Sequence, residues 1–351
     1  MKKPLIDIWF KRLVITNLVL VLVVVIAGSV VRVTESGMGC PDWPKCFGAY
    51  IPPTNESQVT WHEGEEYFEG QMIIHQEKLF TAKKDLVAST KFLPTNWEEY
   101  TKHNYAVYNP VHTWVEFINR LTTVALGFPV MAMFFLSIFY WKDRRARTYL
   151  AFSVVFLVGF QAWLGKKVID SNLEGQTITI HMLGVFAILA ALLILRDKTT
   201  RTHGETTHSD PQFKNLTIAS IILTVLMVIL GTQVREQIDE IAKTTLDRSL
   251  WVSRLDWVFI CHRTFVYIIL AVNGYLIYKS VMNNWYKNRW IQIGIVILAE
   301  ALTGVLLAHF GFPKLAQPLH LFLSTILFAL QFDLIIKLLA PRAMAFGAKS
   351  L

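Results

Sequence analysis

Phe117-Ile118-Asn119-Arg120 and Ile260-Cys261-His262-Arg263 each stand near the entrance of a long apolar run and read as two copies of one unit. A second histidine follows each at nearly the same distance, His181 after Asn119 and His320 after His262. The likeness extends outward in both directions. Gly28-Ser29-Val30-Val31-Arg32 closes the first run and Gly231-Thr232-Gln233-Val234-Arg235 closes the fifth. Ala162-Trp163-Leu164-Gly165 in the third run is matched by Leu302-Thr303-Gly304-Val305 in the seventh. Ile180-His181-Met182-Leu183 opens the fourth run as Leu319-His320-Leu321-Phe322 opens the eighth. The pattern predicts an all-α chain built from a doubled four-helix unit: residues 1–196, a polar linker over 197–215, and residues 216–351.

Composition agrees. The chain has 351 residues, 53% of them hydrophobic and 17% charged, with a mean hydropathy of +0.40. These values lie outside the range of soluble domains. A helix crosses the hydrocarbon layer with about 20 mostly apolar residues, and eight such runs occur, near 13–33, 114–140, 148–166, 178–196, 216–235, 257–278, 291–311 and 318–340. Lys and Arg cluster at Lys11-Arg12, in Lys142-Asp143-Arg144-Arg145-Ala146-Arg147, at Arg196 and Lys198, and at Lys279, Lys287 and Arg289. With eight spans these all fall on one side, so both termini are expected in the cytoplasm. Two even-numbered halves entering from the same side are expected to be related by an axis along the membrane normal. The net charge of +8 is then a topology signal, and no nucleic-acid partner is expected. The first run lacks a small-residue cleavage site and the features of an organellar transit peptide. The expected location is a bacterial plasma membrane, multi-pass, with lipid as the surrounding partner.

The halves differ mainly in one external segment, residues 34–111. A connection of that length is functional or disordered, and a partly ordered cap over the first bundle is expected. It carries Cys40 and Cys46, a non-cytoplasmic pair able to form a disulfide. Cys261 lies within a helix and reads as a small buried residue.

Asn119, His181, His262 and His320 share one depth, in the first turns of even-numbered spans. Neutral imidazole ligates haem iron and two histidines saturate it, so His262 and His320 are candidate haem ligands. A lone intramembrane histidine could instead hydrogen-bond a neighbouring helix; two in a repeat favour ligation. Arg32, Arg120, Arg235 and Arg263 recur at matching places and suit haem propionates, although an arginine at a helix end also snorkels to the interface. Glu116, three residues before Asn119, faces the same side of its helix. Its counterpart in the second half is Phe259, which suggests that only the first half does chemistry. A carboxylate merely favoured by the helix dipole is the bland alternative.

At this point a resemblance emerges. Thr34-Glu35-Ser36-Gly37-Met38-Gly39-Cys40-Pro41-Asp42-Trp43-Pro44-Lys45-Cys46 resembles the loop signature of the haem A synthases, membrane enzymes that oxidise the C8 methyl group of haem O to a formyl group. The resemblance continues through Arg32, the Glu-x-x-x-Arg of span two, the His of span four, the His-Arg of span six and the His of span eight. It implies haem b on His262 and His320, haem O in the first half with His181 on its iron, Glu116 as catalytic carboxylate, and Cys40 and Cys46 as the external redox or structural pair. It further implies a haem O-producing farnesyltransferase and a terminal oxidase as partners, and leaves room for a homo-oligomer. The family pattern has His where this chain has Asn119, a poor iron ligand. Either His181 acts alone, or His112 or His309 substitutes. The alternative function is a two-haem b-type quinol oxidoreductase that only carries electrons. The electron acceptor and the oxygen source are not encoded in any motif.

Overall fold

Eight helices follow the eight apolar runs, each extending past the stretch needed to cross a bilayer. In a computed structural model, which describes residues 3–101, 108–170, 175–200 and 210–339, they are α1 Lys3–Val33, α2 Pro110–Ser137, α3 Arg145–Asp170 and α4 Gly175–Thr200, then α5 Pro211–Thr244, α6 Trp257–Asn283, α7 Lys287–His309 and α8 Ala316–Leu339. Residues 201–209, the middle of the expected linker, lie outside the described residues, as do 102–107 of the cap segment. Local chemistry sets the helix starts. Asn109 accepts from the N–H groups of Val111 (3.0 Å) and His112 (3.2 Å), and Pro110 fills the first position, where no N–H is needed. Asp210 before Pro211 and Asp256 before Trp257 do the same for α5 and α6. α6 ends at Asn284, in the left-handed conformation that asparagine tolerates.

Within each set of four, the helices pack α1 on α2, α2 on α3, α3 on α4 and α4 back on α1, and likewise α5 to α8. The two sets meet through α1, α4, α5 and α8. Phe186 of α4 stacks on Phe328 of α8 at 4.2 Å between ring centres, nearly parallel. Charges join the sets at both ends. At the cap end Asp239 of α5 receives Arg32 of α1 at 2.6 Å and Arg235 at 2.7 Å. At the linker end the buried Asp333 of α8 pairs with Arg196 of α4, with Arg289 of α7 at 2.8 Å and with Lys337 at 3.4 Å.

The segment between α1 and α2 is ordered into a small β cap, a finding beyond the helical reading of the sequence. β1 (Glu66–Tyr67) pairs with β4 (Leu86–Val87), and β2 (Met72–His75), β3 (Lys78–Ala82) and β5 (Trp97–Glu99) form an antiparallel sheet in the order β2-β3-β5. Gln76 and Glu77 turn the β2–β3 hairpin with φ of 48° and 60°, the positive values that a two-residue hairpin loop demands. Tyr67, Ile73 and Trp97 are buried, with Phe92 against them, giving the cap an aromatic core of its own.

Candidate functional site

Two clusters lie towards the cap ends of the helices. In the second half, His262 of α6 and His320 of α8 face each other with ring centres 6.4 Å apart and planes at 73°. His320 is held from behind. Its Nδ1 lies 2.9 Å from Thr303 Oγ1 and 3.1 Å from the Glu300 carbonyl, while the Thr303 hydroxyl donates to that same carbonyl at 2.8 Å. A carbonyl only accepts, so Nδ1 carries the proton and Nε2 presents its lone pair. The His262 ring comes near the Met227 carbonyl of α5, but its Nδ1 makes no hydrogen bond of good geometry.

Opposite these rings the neighbouring helices carry glycine. A methyl group on Gly231 would come 3.2 Å from His262 Cε1, a conflict, and one on Gly304 would come 3.5 Å from His320 Cε1. The same arrangement recurs in the first half, where Gly165 backs His181 and Gly28 backs Asn119, each at 3.8 Å. All four residues singled out by the repeat therefore occupy one kind of niche, an even-numbered helix presenting the side chain against a glycine of the preceding helix, and only at Gly231 is a Cβ crowded.

The first half is assembled differently. Glu116 is buried and fully engaged: Oε2 accepts the Cys40 N–H at 2.8 Å, and Oε1 pairs with Arg120 one turn on. Arg120 also donates to the carbonyls of Asp42 (2.7 Å), Lys45 (2.9 Å) and Cys40 (3.4 Å). One guanidinium thus grips the whole Cys40–Cys46 turn, which is closed by a disulfide. Thr113 donates to the Gly39 carbonyl at 2.9 Å, and Gly39 lies so close to the His112 carbonyl that any Cβ there would overlap it. Within the turn, the Asp42 carboxylate accepts the Gly48 N–H at 2.9 Å. Burial pushes its pKa above the usual 3.8, against the pull of the Gly48 and Phe47 N–H groups and of Arg120. On α4 His181 is half-buried, and its Nδ1 has no hydrogen-bond partner among the described residues.

The four arginines separate. Arg120 serves the disulfide turn, Arg32 and Arg235 share Asp239, and Arg235 also reaches Gln317 at 2.6 Å. Arg263 is exposed, with its guanidinium over the Phe259 ring at 5.7 Å. His309 is exposed at the end of α7, and Cys261 is a free, half-buried thiol. Sequence reasoning passed over Asp239 and Asp333. Asp239 stands four residues after Arg235 on the same helix face, a spacing that could have found it.

The donor set of the second half fits one kind of group. Two metal–nitrogen bonds of about 2 Å, with roughly 1 Å more from each nitrogen to its ring centre, put two axial imidazoles about 6 Å apart, close to the 6.4 Å found. Among the described residues no cluster of three or more His, Cys, Asp or Glu side chains exists. The remaining donors to such a metal would come from the ligand itself, as in a porphyrin.

With that pair in place, comparison with known proteins identifies the lineage. Residues 11–84 and 93–332 match the COX15-CtaA family, described as cytochrome oxidase assembly protein. The chain belongs to this family. The match covers both four-helix sets and most of the cap. The family's relatives include the heme A synthase of Shewanella oneidensis, 27% identical over 223 residues. That alignment takes in 64% of this chain and 53% of the relative, so it spans about half the relative's length. Eight apolar helices and the family together make this chain a multi-pass membrane protein.

Proposed function

We propose that the chain is a haem A synthase, oxidising the C8 methyl group of haem O to a formyl group in a bacterial plasma membrane. We read residues 1–196 and 216–351 as two halves joined by 197–215 and related by an axis along the membrane normal. The second keeps a haem b and the first receives haem O. The observation that carries the reading is the inequality of the two niches. One holds a facing His262–His320 pair at 6.4 Å; in the other half the position matching His262 is Asn119, one turn from the buried Glu116 on α2, and His181 has no facing histidine among the described residues. The name of the Shewanella relative points the same way.

When bound, the two haems supply iron redox chemistry. The chain does the rest. His262 and His320 would hold the resident iron, with Thr303 and the Glu300 carbonyl fixing the His320 tautomer. His181 would offer one nitrogen to the substrate iron, and Asn119, whose amide is a poor iron ligand, would supply none. Glu116 accepts the protons released as the methyl carbon is oxidised, its carboxylate fixed by Cys40 and Arg120. The disulfide turn packs directly on Glu116 and Arg120. For the propionates, Arg263 is uncommitted, while Arg32 and Arg235 would share theirs with Asp239 and Arg120 its own with Glu116. A pure electron carrier would need a complete ligand pair in each half, which Asn119 does not supply. A haem O-producing farnesyltransferase and a terminal oxidase are the partners this reaction requires.

The test is co-expression with a haem O source, followed by extraction of the porphyrins. Haem A is expected, from a preparation with a low-spin b-type spectrum. A haem-loaded protein that leaves haem O unchanged refutes the proposal.

A further inference from the structure

His320 and His181 share a niche but not a support, and His262 resembles His181 in having no Nδ1 hydrogen bond among the described residues. Behind His320 stands Thr303, the residue just before Gly304, and together with the Glu300 carbonyl it fixes the ring through Nδ1. Behind His181 the residue just before Gly165 is Leu164, a buried side chain with no donor or acceptor, and His181 Nδ1 is without a partner among the described residues. Resting on the haem reading above, we propose that this difference, added to the missing second ligand at Asn119, tunes retention against exchange: Thr303 is the positioning residue that tightens the hold of His320 on the second-half haem, and Leu164 leaves His181 free to turn and release its haem after reaction.

The physical reason is direct. An imidazole whose Nδ1–H is hydrogen-bonded is fixed in tautomer and orientation and is a stronger base at Nε2, and supports of this kind change metal affinity by about 10- to 100-fold. A synthase needs the opposite property at its substrate site, because the product must leave. Without an acceptor at Nδ1, rotation of the His181 ring breaks no hydrogen bond within the protein.

The experiment uses purified, haem-loaded full-length protein and follows haem transfer to excess apomyoglobin, together with the midpoint potential and the low-spin electron paramagnetic resonance signal of haem b. Thr303→Val keeps the shape and removes the hydroxyl. It is expected to speed haem b loss about 10- to 100-fold, raise the potential and shift the resonance, with Thr303→Ser restoring all three. Leu164→Thr provides the converse, slowing release of haem O or haem A from the first half by about 10-fold or more. Wild-type loss rate and potential in Thr303→Val overturn the proposal, and so does unchanged release in Leu164→Thr, which remains decisive if the valine variant fails to fold. If wild-type protein from haem-replete cells is colourless, the functional reading falls along with this one. A coloured wild type with indifferent variants overturns this one alone.

Discussion

Replacing Glu116 separates chemistry from scaffolding. Glu116→Ala removes the acid and strands Arg120 in a buried setting, since the guanidinium is 14% and the carboxylate 3% exposed. Breaking a buried pair from one side costs about 3–5 kcal/mol. Arg120 keeps three carbonyl acceptors in the disulfide turn, which places the cost at the lower end of that range. Glu116→Gln keeps the volume and an oxygen to accept the Cys40 N–H, so its cost falls to about 1–3 kcal/mol. Neither change touches α6 or α8, so the haem b spectrum and its midpoint potential should match wild type in both. Haem A formation, measured by chromatography of extracted porphyrins against time, should drop by about 10²–10⁴-fold in both if the carboxylate handles protons. If glutamine restores haem A formation to the wild-type rate, Glu116 is only a clasp for the turn and the proton role is wrong.

Other consequences are equally direct. His262→Ala and His320→Ala should each abolish the low-spin b-type spectrum, and a preserved bis-imidazole signal in either would exclude the ligand assignment. Cys40→Ser with Cys46→Ser frees the turn that Arg120 grips; haem A yield should fall while haem b binding is retained, as read by absorbance and porphyrin extraction. Asp239→Asn unpairs Arg32 and Arg235, but the site is partly exposed (37% at Asp239), so each lost pair should cost no more than about 1 kcal/mol and the melting temperature in detergent should shift by only a few degrees. Asp42 has a pKa raised by burial in the folded cap, so its own contribution to cap stability is full below the ordinary aspartate value of 3.8 and is lost as the pH rises through the raised one. Limited proteolysis of the cap should show that slope, and Asp42→Asn should flatten it; an unchanged slope would remove Asp42 as its source.

The helices were legible because a membrane span announces itself by length and apolarity alone. The niche residues were legible because duplication repeats them in order: Gly28 with Asn119, Gly165 with His181, Gly231 with His262 and Gly304 with His320. The β cap was legible only as a long segment. Its hairpin turns on Gln76-Glu77, which carry none of the usual turn chemistry, and its strands are too short to show a period. The commitments of the arginines were hidden for another reason. Arg32 and Asp239 lie far apart in the chain, as do Arg196 and Asp333, and nothing local marks them as partners. Thr303 stood inside a matched quartet, but as one letter of a repeat it gave no hint that its hydroxyl orients the neighbouring imidazole.

Asp239 with Arg32 at one membrane face, Phe186 on Phe328 at mid-depth and Asp333 with Arg196 at the other fasten the two sets of helices along their full height. A seam latched at three levels resists both sliding and splaying. The span between the niche of His181 and that of His262 and His320 is then a constant of the fold, not a variable of docking. Under the proposed function, any transfer between the two niches would run across this shared seam of α1, α4, α5 and α8.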